Sequence, residues 1–125
     1  MIAEELIQLA SSLRDEVEDF AVRLESEGTA EVVYNPLMYA WNVHKEYLKT
    51  CADKGARTVL LGMNPGPHGM GQMGIPFAAT KVVRDLLGIS DIEVDRPRRM
   101  HPKRPINGLR HPKEEVSGTR LWGVL

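Results

Sequence analysis

The sequence holds a single cysteine, Cys51, in 125 residues, so no intrachain disulfide and no cysteine-rich zinc site can form. A reducing compartment suits such a chain. Aromatic residues are few, three Tyr, two Trp and two Phe, and no apolar run exceeds a few residues. That length is too short for a membrane-spanning helix. The N-terminus is acidic rather than basic, unlike a secretory signal, so the expected location is the cytoplasm. His44, His68, His101 and His111 lack the paired spacing of zinc ligands, and each reads as a loop or surface residue. No G-x-S-x-G surrounds a serine, and no Lys-Ser or Lys-Thr follows the glycines as a phosphate loop requires. The expectation is therefore no metal and no cofactor.

What is present fits one soluble domain over residues 1–125, with 42% hydrophobic and 26% charged residues. The net charge of −1 conceals an asymmetry. Residues 1–27 carry eight Asp or Glu against two Arg, whereas residues 96–113 carry seven Lys or Arg and no acid. A basic, Pro-rich stretch over residues 90–117 suits a polyanion, and it equally suits a solvated loop.

Apolar residues recur at three- and four-residue spacing from Leu6 to Leu24, which predicts an amphipathic helix over residues 3–27 within an N-terminal segment 1–28. Its stripe is expected to pack on the domain's own sheet. Residues 31–34 resemble a short strand, and Asn35-Pro36 opens a second predicted helix running through Leu48. Tyr34, Tyr39, Trp41 and Tyr47 could stack on bases, or serve as core and boundary residues.

The stretch that organises the rest is residues 57–77, RTVLLGMNPGPHGMGQMGIPF. Val59, Leu60 and Leu61 read as a buried strand that breaks into a loop of Gly, Pro and Met, with a short helix predicted over residues 80–87. A strand-to-loop break of this kind belongs at the carboxyl edge of an α/β sheet, where ligands bind. Gly69, Gly71 and Gly74 fit G-x-G-x-x-G, but they stand too far from the strand and Pro76 follows, so a dinucleotide site is disfavoured. Asn64 is the notable polar residue. A neutral amide can hold a water or orient a leaving group, and the same amide can simply stabilise the turn. Residues 116–125 read as the entry to a further helix.

Gly62-Met63-Asn64-Pro65-Gly66-Pro67, the spacing to Gly74-Ile75-Pro76-Phe77, and Val83-Arg84-Asp85-Leu86-Leu87-Gly88-Ile89 resemble the single-strand-selective monofunctional uracil-DNA glycosylase family. Tyr34-Asn35-Pro36-Leu37, His101-Pro102-Lys103-Arg104-Pro105, Val116-Ser117-Gly118 and Trp122-Gly123 extend the resemblance. It implies an α/β fold, three layers α/β/α around a parallel central sheet, here incomplete. It also implies base-excision repair, the hydrolysis of the N-glycosidic bond of uracil and of oxidised uracils such as 5-hydroxymethyluracil in DNA.

Carried over by position, the resemblance makes Asn64 the water-positioning residue. Met63 and Gly66 would shape the pocket, Phe77 would stack on the flipped base, and Met70 would lie in the pocket-side loop as a further substrate-binding residue. Arg96, Arg98, Arg99, Lys103 and Arg104 would face phosphates of DNA, single-stranded by preference and double-stranded as well, with no membrane partner. The family's later strands, an Asn that reads the uracil edge, a DNA-entering wedge and a His-Pro-Ser motif have no counterpart here. The expectation is thus the N-terminal half of such an enzyme. Its alternatives are a non-catalytic DNA-binding remnant, and one half of a split enzyme whose C-terminal half is a separate chain.

Overall fold

The computed structural model describes residues 2–125. Helix α1, Ile2–Ser26, carries Glu4 and Glu5 in its first turn and Arg23 in its last, charges that complement the helix dipole. It ends where Gly28 takes φ 75°, a backbone state open to glycine without cost. The helix predicted through Leu48 is divided into α2, Pro36–Tyr39, and α3, Trp41–Cys51, by Ala40 at φ −101°, ψ 24°. Asn35 pins the start of α2 to α1, its Nδ2 donating to Arg14 O at 2.9 Å and to Glu18 Oε2 at 3.2 Å.

The expected parallel sheet is absent among the described residues. Their one β contact is an isolated antiparallel bridge between His101 and Arg104. Residues 57–62 are irregular and outside the core, with Val59 88% and Leu61 93% exposed. The cause is the ladder requirement: a parallel strand needs a neighbour to satisfy its N–H and C=O groups. The second strand-like piece is engaged elsewhere. Val33 N donates to Glu25 Oε2 at 2.9 Å, and Tyr34 Oη donates to Arg104 O at 2.7 Å. The expected burial of Val59, Leu60 and Leu61 in a strand is therefore overturned: all three are exposed, and no described segment supplies a partner strand.

The absent sheet also leaves the α1 stripe without its expected platform. Only Ala3 and Ala21 of α1 are buried, and Leu9 and Phe20 remain exposed. The core sits instead between α3 and the glycine-rich segment, where Val43, Met73, Ile75, Ala78, Val83 and Ile89 form one buried cluster. Tyr47, Leu87, Ile92, Val94 and Leu109 pack around it.

Residues 69–74, predicted as plain loop, contain a helical turn, α4, Met70–Met73, with Gly74 at φ 73° behind it. The predicted helix at residues 80–87 widens into a π-helical turn, Val82–Leu86, and Gly88 at φ 71° follows it. The Pro-rich stretch is irregular apart from a 3₁₀ turn, Gly108–Arg110, and the chain closes with α5, Val116–Val124. No described helix is long and apolar enough to cross a membrane.

Candidate functional site

Met63, Asn64, Gly66, Met70 and Phe77, distant along the loop, all line one cleft of about 550 Å³. Its floor is fixed by burial just behind it. Met73 and Ile75 are fully buried, and Tyr39 Oη donates to Gly71 O, so the loop is held by the core on one side and α2 on the other. Burial, with Tyr34 adding to it, raises the Tyr39 phenol well above its ordinary range, so the residue remains a neutral donor.

Phe77 is the one described non-glycine residue with positive φ, 55°. A backbone held there by a bulky residue costs about 1–3 kcal/mol and persists only where neighbours impose it. Those neighbours are on α5. Trp122 Nε1 donates to Phe77 O at 3.1 Å, and Gly118 packs so closely that a Cβ would stand 2.6 Å from Phe77 O and 2.5 Å from Ala78 O. The ring tip in turn lies over Gly62, where a Cβ would meet Phe77 Cζ at 3.2 Å. The turn thus places the Phe77 ring in the cleft wall.

Asn64 is exposed, and its Nδ2 donates to Pro65 O at 3.3 Å. That bond orients the amide and leaves Oδ1 as an acceptor. Met63 is 99% exposed, so this wall of the cleft is open.

Two lining residues were missed by sequence reasoning, Glu115 and Ser117. Glu115 is the only ionisable side chain in the lining. Its Oε2 accepts from His68 N at 2.9 Å and lies where a Gly66 Cβ would stand, at 2.5 Å. The available signal was Glu114-Glu115, the first acids after the acid-free stretch 96–113.

The five predicted phosphate-facing residues do not form one patch. Arg98 is paired with α1, its Nε 3.1 Å from Glu18 Oε1 and its Nη1 2.5 Å from Glu25 Oε1. The Val33 N–H first, and Arg98 after it, hold the Glu25 carboxyl below the usual range. Arg99 Nη1 donates to Glu31 O at 3.1 Å. Arg96 lies in a cleft beside Glu93 and Asp95. Lys103 and Arg104 line a separate cleft that shares Pro67 with the Asn64 cleft.

Of the four histidines, expected as loop or surface residues, His44 departs from that reading, while His68, His101 and His111 lie in irregular segments. His44 is a buried helical residue whose Nδ1 donates to Gly74 O at 2.7 Å, and His68 and His111 are hydrogen-bonded partners. Among the described residues no group of three or more His, Cys, Asp or Glu is placed to hold a metal ion.

No family model matches the chain. It is 43% identical over 122 residues to the single-strand selective monofunctional uracil DNA glycosylase of Bos taurus, covering 98% of this chain and 43% of that protein. Proteins of the same name from Rattus norvegicus and Mus musculus are each 49% identical over 92 residues, covering 74% of this chain and 33% of theirs. The resemblance read from the loop motifs is borne out by these relatives, and the chain spans less than half of their length.

Proposed function

We propose that this chain, a relative of the single-strand-selective monofunctional uracil-DNA glycosylases, carries the water-positioning wall of a uracil-DNA glycosylase pocket. The reaction is hydrolysis of the bond between base and deoxyribose, for uracil and oxidised uracils, on DNA with single strands preferred. The observation that carries this reading is the convergence of Asn64, Gly66, Met70 and Phe77 on one cleft, in a chain so similar to proteins of that name.

The geometry suits the chemistry. The transition state resembles an oxocarbenium sugar with a departing uracil anion, so the group holding the water must not repel developing positive charge. Asn64 Oδ1 accepts a hydrogen bond from that water while Nδ2 stays tied to Pro65 O. Phe77 offers the flat face on which a flipped base stacks. The Glu115 carboxylate, against Gly66 in the same lining, favours positive charge on the sugar.

The test replaces the matched region of the bovine relative with this chain and follows uracil release from a single-stranded oligonucleotide. Asn64→Ala is expected to cut release by about two to three orders of magnitude, the usual loss for a transition-state group. Equal release by both proteins overturns the reading.

One observation favours a second reading, in which a separate chain completes the domain. The 57–62 segment exposes Val59 and Leu61 and pairs with no described strand. Such a partner would add a strand along it. Restoration of uracil release on mixing this chain with the complementary piece of the bovine relative supports that reading, and failure of mixing where the fused protein is active counts against it.

A further inference from the structure

On the far side of Pro67 from Asn64 lies a cleft of about 740 Å³ whose lining includes His68, His101, His111, Lys103, Arg104 and Lys113 and no carboxylate residue. His68 Nδ1 and His111 Nε2 are 2.9 Å apart, and the ring centroids stand 5.1 Å apart with 14° between planes, so the two rings meet edge to edge across an N–H···N bond. Resting on the glycosylase reading above, we propose that this cleft binds a phosphodiester of the strand whose base occupies the Asn64 cleft, and that the His68–His111 pair takes up one proton as it does so.

With the Asn107 amide placed nitrogen toward His111, one assignment of the protons satisfies the string. Asn107 Nδ2 lies 3.2 Å from His111 Nδ1 and donates to it. His111 then carries its proton on Nε2 and donates to His68 Nδ1. His68 in turn carries its proton on Nε2, the atom left to meet a ligand. A proton added at His111 Nδ1 reverses the string without breaking it. The Asn107 amide turns over to accept at its oxygen, the His111 Nε2 proton passes to His68 Nδ1, and His68 Nε2–H stays available as an imidazolium donor.

In the free protein the charged state is opposed. Burial, then His68 itself and Lys113, push His111 below the usual imidazole range, while Glu114 and Glu115 pull the other way. Both carboxylates already have partners. Glu114 accepts from Thr80 Oγ1, and Glu115 accepts from His68 N. Across the cleft Lys103 and Arg104 add further positive charge, and His101 has Glu31 Oε2 at 3.8 Å. A phosphodiester supplies the negative charge that the lining lacks. The shared Pro67 wall places that phosphate beside the nucleotide whose base is held next door.

A pair serving only as a brace between the loop and the Pro-rich segment would give strand affinity no dependence on its protonation. Anisotropy of a labelled, uracil-free oligothymidylate, titrated with the full chain from about pH 8 to about pH 5.5, separates the two. Affinity is expected to rise on acidification, by up to about tenfold per pH unit for one proton taken up. His68→Gln and His111→Gln should each remove that part of the profile. Lys103→Ala should instead lower the salt dependence by about 0.7 in log–log slope at every pH.

Imidazole proton signals of the unmodified protein provide the check that needs no variant: their titration midpoints should rise when the oligonucleotide is bound. A flat profile, or one that both Gln variants retain, overturns the inference. A flat profile in a grafted protein that releases uracil sinks this inference alone. Proton-linked strand binding without uracil release supports it and sinks only the catalytic reading.

Discussion

His44 shows how much one residue's setting decides. Burial, the larger effect, holds its imidazole below the ordinary range, and the Gly74 carbonyl that accepts from Nδ1 opposes the shift. Below about pH 6.5 the unfolded chain binds a proton that folded His44 refuses, so stability falls as pH falls until the folded value is passed. His111 is lowered too and acts in the same direction. His44→Gln, which keeps a donor for Gly74 O, should flatten urea-derived stability between about pH 7 and about pH 5. A wild-type slope in the variant would remove His44 as its source. The burial of His44 was hidden in the sequence, because an isolated histidine on a helix carries no mark of which face it occupies. Asn64, Gly66 and Phe77 were singled out by the family resemblance rather than by residue pattern alone, and the structure brings the three to one cleft. The His68–His111 contact was not legible, since residues far apart in sequence meet only after the Pro-rich segment has folded back.

At the scale of elements, α5 acts as the clamp on the Phe77 turn, and its two glycines should respond in opposite ways. A Cβ at Gly118 meets two backbone carbonyl oxygens at 2.5 and 2.6 Å, which cannot swing aside. Gly118→Ala is therefore expected to lower stability by about 2–4 kcal/mol in urea unfolding, as overpacking against rigid neighbours does. Gly123 has open space around its Cβ position, and Gly123→Ala should be neutral or stabilising by up to about 1 kcal/mol. Similar losses in both variants would deny α5 that role. The helices α1 and α5 were readable from apolar spacing and stop signals, and the structure begins and ends them within a residue or two of those readings. Where the sequence misled was the break at Ala40 and the turn α4. Both answer to packing, since Gly74 approaches so near that its Cβ would stand 2.8 Å from Ala40 Cβ.

For the molecule as a whole, the core formed without the sheet that the 57–62 pattern implied. The buried strand expected at Val59-Leu60-Leu61 did not form, because strand formation is a property of a pair and apolar, β-branched composition alone cannot supply the second member. An exposed apolar segment with free backbone groups is a site of self-association. Val59→Lys with Leu61→Lys should reduce concentration-dependent association in analytical ultracentrifugation, and unchanged association would place the adhesive surface elsewhere, with the exposed stripe of α1 next in line. The same segment has a consequence for mutational tolerance. Substitutions at positions so exposed shift the folding free energy by about 0.5 kcal/mol or less. A library of variants screened for survival on heating would score Val59 and Leu61 as freely replaceable, and one screened for uracil release in the grafted protein would not. Positions silent in the first screen and intolerant in the second would trace, residue by residue, the surface that uracil release requires and folding does not.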